Sequence, residues 1–210
     1  MTSQSAHLVS SRLPTGRSTR RHFGLATLLL ASLWLVTPTR AATLGGVTVP
    51  DTIQVDGHNL VLNGLGIRTL TFLKVKIYVA ALYVTTKTNN AQAILSSPGP
   101  TVLALHYIHS GSKEQVQDRY REGEKTNCGD GSCDASLQAD FEKLVASATP
   151  VQEGDTTMFI VTSKALRVEL NGRPVITIAN GRLANMILQG FIGAHPPSED
   201  LRAALLGVPQ

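Results

Sequence analysis

Arg68 and Tyr78 stand in the run GLGIRTLTFLKVKIYVAALYV, residues 64–84, which is otherwise fit for burial apart from Lys74 and Lys76. A lysine can lay its stem along apolar surface and free its ammonium. A guanidinium is always charged, and burying it costs several kcal/mol unless an anion meets it. No acidic residue lies between Asp56 and Glu114 to supply that anion locally. Read as ten residues apart on one continuous strand, Arg68 and Tyr78 share a face, as do Lys74 and Lys76. A guanidinium and a phenol hydroxyl converging on one point form a receptor for a carboxylate or phenolate. The alternative leaves Arg68 at a strand end in solvent.

Most other catalytic machinery is missing. The chain has no Gly-rich phosphate loop, no His-Glu-x-x-His, no Gly-x-Ser-x-Gly and no cysteine placed as a nucleophile. No cofactor is implied. His106 and His109, on a strand and its exit, face opposite sides and read as ordinary polar residues rather than a metal pair. The two cysteines lie in NCGDGSCDA. In an oxidising compartment Cys128 and Cys133 close a small loop across Gly-Asp-Gly-Ser, adding local order more than global stability. The rival is a metal site using both sulfurs with Asp130 or Asp134, but without a nearby histidine it falls short of the usual zinc set.

Residues 1–41 contain Arg12, Arg17, Arg20, Arg21 and Arg40 and no acidic residue. FGLATLLLASLWLV, residues 23–36, is too short to span a bilayer comfortably but suits the hydrophobic region of a secretory signal. Thr39 and Ala41 are small residues at the −3 and −1 positions of a cut after Ala41. We therefore read 1–41 as a removed leader and 42–210 as one domain of a periplasmic or otherwise exported protein; the alternative is an uncleaved anchor. STRRHFGL resembles a twin-arginine export signal; the general secretory route is the alternative. The mature part keeps 14 of the 19 Lys/Arg against all 15 Asp/Glu, a net charge of −1. The basic balance of the whole chain thus belongs to the leader. Nucleic-acid binding has no electrostatic support, and no membrane span remains after leader removal.

The elements that must position Arg68 and Tyr78 follow from periodicity and turn chemistry. Ile53/Val55 and Leu60/Leu62 alternate around Asp56-Gly57-His58-Asn59, a hairpin signature. The strand signal then continues from Thr69 to Val84. NNAQAILSSPGP is a short helix and TVLALHYI another strand. Ser112 with Gln115 three residues on is a capping box, opening a helix whose inner face carries Val116 and Tyr120. Leu137, Phe141, Leu144, Val145 and Ala148 mark a second helix. Strands flank Asn171-Gly172; Leu183, Met186, Ile187, Gly190 and Phe191 stripe a third helix; Ser198 caps a fourth. The order predicts an α+β fold, an antiparallel sheet covered on one face by helices.

LNGLGIRTLTFLKVKIYVAALYV, then ALHYIHSGSKEQVQDRYREG and LANMILQGFIGAHPPSEDLRAALLG, resemble the chalcone isomerase family, particularly its bacterial exported members, over essentially the whole mature chain. The resemblance implies an open-faced β-sandwich with a ligand cleft between a large antiparallel sheet and a helical layer. It implies that Arg68 is the family's strand arginine, which meets an anionic ligand oxygen, and that Tyr78 falls at the threonine of the plant enzymes. The fatty-acid-binding relatives, which pair an arginine with a tyrosine to hold a carboxylate, resemble this chain more. Where the enzymes carry a helix tyrosine, this chain has Lys113 and Glu114; near their late Ser/Thr pair it has Leu183-Ala184. The enzyme set is incomplete. The resemblance therefore implies a non-catalytic binding protein for a fatty acid or similar amphipathic carboxylate, with Arg68 and Tyr78 at the polar end of its cleft. The alternatives are an isomerase or lyase acting on a phenolic, chalcone-like substrate, with Arg68 stabilising developing charge, and a partner-binding structural protein with a vestigial cleft.

Overall fold

Two tight hairpins carry the signature expected of them. In the computed structural model, which describes residues 40–70, 75–129 and 131–208, strands β3 (Thr52–Val55) and β4 (His58–Leu70) are joined by Asp56-Gly57. Both turn residues have positive φ, 49° and 78°, the conformation that a two-residue turn between twisted strands requires. Strands β8 (Leu166–Leu170) and β9 (Arg173–Ile178) are joined in the same way by Asn171-Gly172, φ 52° and 72°. With β5 (Val75–Val84), β6 (Thr101–Tyr107) and β7 (Thr156–Val161) they form a seven-stranded antiparallel sheet in strictly sequential order, β3 to β9.

Helices α1 (Ala91–Leu95), α2 (Lys113–Cys128), α3 (Ala135–Ala146), α4 (Gly181–Ile192) and α5 (Glu199–Leu205) complete the α+β architecture. The capping box of α2 is present, Ser112 and Gln115 each satisfying the other's backbone N–H. The main core lies between one sheet face and the helices, joining Leu82, Leu103 and Phe159 to Phe141 of α3, Leu183 and Leu188 of α4, and Leu201 and Leu205 of α5. The other face buries Leu60, Ala81, Val102 and Ile160 under Val49.

That second cover is a hairpin the sequence reading did not anticipate, β1 (Ala41–Leu44) with β2 (Val47–Pro50) around Gly45-Gly46. The Tyr83 hydroxyl donates to the Pro50 carbonyl at 3.0 Å and ties the hairpin to the sheet. Strand β1 begins at Ala41, one residue before the expected start of the domain. The leader's residues 1–39 lie outside the described residues, as do Lys74 and Asp130.

One expected element is corrected. The chain does not run as a single strand from Thr69 to Val84. It reverses between Leu70 and Val75, which are paired in the antiparallel register of β4 and β5.

Twist accumulated across the sheet has a visible result. Arg167 on β8 reaches Asp56 in the β3–β4 turn with two hydrogen bonds of 3.1 Å each, although four strands lie between β3 and β8 in the sheet. The sheet is curled enough for its two sides to meet at that corner.

Candidate functional site

Strand β4 carries Asn63-Gly64-Leu65-Gly66-Ile67-Arg68, and its glycines decide what can lie above it. A Cβ at Gly64 would stand 2.1 Å from the Ala204 carbonyl oxygen, and one at Gly66 would stand 2.8 Å from Leu201 Cδ1. Helix α5 therefore packs its backbone directly on the strand. The Asn63 amide donates to the Leu205 carbonyl at 2.8 Å and fixes the end of α5. The next outward position on that face is Arg68, under the start of α5. Its guanidinium donates to the Pro197 carbonyl at 2.6 Å, one residue before the N-cap Ser198. Among the described residues Arg68 forms no ion pair. A half-buried guanidinium is thus met by a backbone dipole on one nitrogen and not by a carboxylate.

Arg68 and Tyr78 are brought together, but not by the route their spacing suggested. They are directly opposed residues of β4 and β5, so they share a face because cross-strand partners do. Tyr78 is in turn opposed to Tyr107 on β6, and the two rings meet edge to face, with centroids 6.1 Å apart. Above them, Tyr120 of α2 makes a second edge-to-face contact with Phe159 of β7, at 6.3 Å. The sequence reading placed Tyr120 on the inner face of its helix correctly. It passed over Tyr107, although Leu103, Leu105 and Tyr107 alternate on one face.

Burial raises the pKa of the Tyr78 and Tyr120 phenols well above the ordinary tyrosine range and also raises that of Tyr107. At Tyr78 the positive charge of Arg68 works against that rise, Tyr107 adds to it, and Arg119 of α2 opposes it more weakly. At Tyr107 the side chain of Thr157 opposes the rise, and at Tyr120 the neighbouring Tyr107 adds to it. These hydroxyls keep their protons at neutral pH. They can donate hydrogen bonds to an anion, but they are poorly suited to act as bases. Arg119 is largely exposed and paired with Glu122 at 2.6 Å.

Two cavities are found near the sheet, and neither opens on this pair. A space of about 10 Å³, no larger than one water, lies between Val116 and Tyr120 of α2 and Thr157, Val168 and Leu170 of the sheet. A larger cavity of about 440 Å³ sits at the opposite end of the sheet, near Thr101 and Val161. Neither is lined by Arg68 or Tyr78.

The remaining candidate residues separate cleanly. Cys128 and Cys133 form a disulfide, Cα atoms 5.0 Å apart, joining the end of α2 to the approach of α3. With the sulfurs bonded to each other, the metal-site rival loses its thiolates. Asp134 is engaged as the N-cap of α3 and with Arg182. His106 bonds Thr156 through Nδ1 at 2.9 Å while burial lowers its basicity, and His109 is exposed. Lys113 and Glu114 are exposed at the start of α2, whereas Leu183 and Ala184 are fully buried core. Among the described residues no helix is long and apolar enough to cross a membrane.

Residues 41–207 match a family model described as chalcone isomerase-like. Among solved structures the chain is similar to the crystal structure of an Arabidopsis thaliana fatty-acid binding protein. The TM-score is 0.65 at 15% identity, over 80% of this chain and 96% of that one. No curated protein matches by sequence. At that identity the structural likeness establishes the fold.

Proposed function

The chain belongs to the chalcone isomerase-like family, and from that premise we propose that it binds a fatty acid or similar amphipathic carboxylate between sheet and helical layer, with Arg68 and Tyr78 as the head-group clamp. The observation that carries the reading is the opposed pair itself: a guanidinium without a carboxylate partner among the described residues, beside a phenol that stays protonated. A carboxylate arriving there exchanges the Pro197 carbonyl for a full negative charge and gains a donor from Tyr78. The fatty-acid binding named for the similar Arabidopsis protein supports the same ligand class. Phenols held protonated favour holding an anion over abstracting a proton, so the reading is of a carrier and not a catalyst.

The acyl chain needs room that the packed interface withholds, and α2 is the element able to give it. None of its sixteen residues is fully buried, and only Tyr120 and Cys128 pack partly buried against the core, whereas α5 is seated backbone to backbone on β4.

The test compares a C16 fatty acid with its methyl ester by calorimetry. A charge-assisted hydrogen bond contributes about 1.5–3 kcal/mol, so Arg68→Ala weakens acid binding by about ten- to a hundredfold and leaves the ester nearly unchanged. Tyr78→Phe costs less, about two- to tenfold, as expected for one neutral hydrogen bond. Equal affinity of the wild-type protein for acid and ester refutes the clamp.

The export reading belongs to the same proposal. The exported protein has lost the leader and starts near Ala42, which its intact mass measures; a mass that retains residues 1–41 refutes it. Arg20→Lys with Arg21→Lys blocks export only on the twin-arginine route.

A further inference from the structure

We propose that the 440 Å³ cavity at the far end of the sheet is a second, preformed binding site for a small uncharged molecule with an apolar body and one hydroxyl or carbonyl group. Its size is within the range of small-ligand pockets. Three elements that cannot easily part build its walls: the segment from α1 to β6, the β7–β8 turn, and the start of α4. The Asn185 amide of α4 donates to the Leu95 carbonyl at 2.6 Å, tying α4 to the end of α1. At Gly181 a Cβ would stand 2.0 Å from the Ser163 carbonyl oxygen, so the β7–β8 turn rests directly on the first turn of α4. Gly99 lets the third wall close in, since a Cβ there would stand 2.8 Å from Thr85 Cγ2.

The lining sets the ligand's chemistry. Ile94, Val161 and Leu188, all nearly fully buried, give a small apolar floor, and the neutral polar side chains of Ser96, Thr162 and Asn185 line the walls around it. Thr101 is only 3% exposed as a residue and lines the cavity, and its hydroxyl makes no side-chain hydrogen bond among the described residues. A ligand donor or acceptor there would exchange cavity water for a direct hydrogen bond. Among the described residues no Asp, Glu, Lys, Arg or His lines the space to offset the desolvation of an ion. A charged ligand is therefore disfavoured and a neutral one fits. The site shares no residue with the Arg68–Tyr78 pair and stands whether or not that pair holds a carboxylate.

Benzyl alcohol is the probe, titrated into the ¹⁵N-labelled protein with toluene and benzoate as comparators. The expected result is saturable shifts confined to amides around Thr101, Thr162 and Asn185, tighter for benzyl alcohol than for toluene and absent for benzoate. Thr101→Val keeps the side-chain shape and removes the hydroxyl. It weakens benzyl alcohol about two- to tenfold, the share of one neutral hydrogen bond, and spares toluene. Arg68→Ala leaves the titration unchanged. Shifts that do not saturate, that spread over the surface, or that are the same for benzoate overturn the proposal. In the wild-type protein alone, toluene binding as tightly as benzyl alcohol removes the role of Thr101 even if the variant does not fold.

Discussion

Gly64→Ala adds one methyl group at the seat of α5, and its cost can be worked from the contacts. Gly64 does not have a positive φ, so alanine meets no backbone penalty there. The new Cβ would lie 2.1 Å from the Ala204 oxygen and 2.4 Å from the Leu205 oxygen. Carbon and oxygen settle at about 3.3–3.6 Å, so α5 must withdraw by roughly 1.2–1.5 Å. A gap of that size forfeits about half or more of the contact energy on the facing side chains. Here those are Leu201 and Leu205, 1% and 0% exposed. The same movement stretches the 2.8 Å bond from Asn63 to the Leu205 carbonyl. Leaving such a buried group unsatisfied costs about 1–3 kcal/mol. Alanine's smaller unfolded-state freedom returns about 0.4–1 kcal/mol. The net expectation is a loss of about 2–4 kcal/mol, read from the midpoint of urea unfolding. Gly123→Ala is the comparator, because a Cβ at that position in α2 meets nothing within 4 Å. It should stabilise by about 0.5–1 kcal/mol, the helix preference for alanine over glycine. If Gly64→Ala lies within about 0.5 kcal/mol of wild type, the close seating of α5 is wrong.

Replacing Cys128 and Cys133 together with Ser leaves the domain folded and costs about 2 kcal/mol, the chain-entropy value for so short a loop; calorimetry reads the loss, and alkylation before and after reduction checks that the native thiols are blocked. Asp140 accepts hydrogen bonds from Lys143 and Asn180, both at 2.7 Å, which hold its carboxyl below the ordinary aspartate range. Its contribution is therefore complete above the unfolded pKa of about 3.9 and is lost as pH falls through the lower folded value, so Asp140→Asn flattens stability against pH in that acid window. An unchanged acid limb in urea titrations contradicts that assignment. Helix α2, with no fully buried residue, exchanges its amide hydrogens faster than α3 and α4, and a bound fatty acid slows it; equal protection of the three helices without ligand argues against α2 as the movable cover.

Much of the architecture is local and therefore readable. Asp56-Gly57 and Asn171-Gly172 demand positive φ, and Ser112 with Gln115 closes a capping box, so each is decided by a few neighbouring residues. The reversal between β4 and β5 was not readable, because Thr71-Phe72-Leu73-Lys74 contains no glycine, proline, asparagine or aspartate. Arg68 and Tyr78 were therefore placed on one face from a continuous strand, when cross-strand pairing brings them together. Gly45-Gly46 is the local turn signal for β1 and β2. Partners distant in sequence were out of reach: nothing near Arg68 points to the carbonyl of Pro197, 129 residues away.

The sequential strand order bears on how the chain folds. Pairings from β3 to β6, and again from β7 to β9, join consecutive strands, so each block can form as a local meander. The seam between β6 and β7 closes a much wider loop, with His106 and Thr156 separated by 50 residues that include α2 and α3. Loop-closure entropy grows only slowly with length, but it is incurred before the seam's contacts form. Helix α5 comes last: Asn63 waits 142 residues for Leu205. Until the C-terminus arrives, the glycine track on β4 is an uncovered strip of backbone beside Arg68. A nascent or truncated chain ending before Glu199 would present that strip to chaperones or to other chains, which makes the docking of α5 the step that commits the sheet to its native cover.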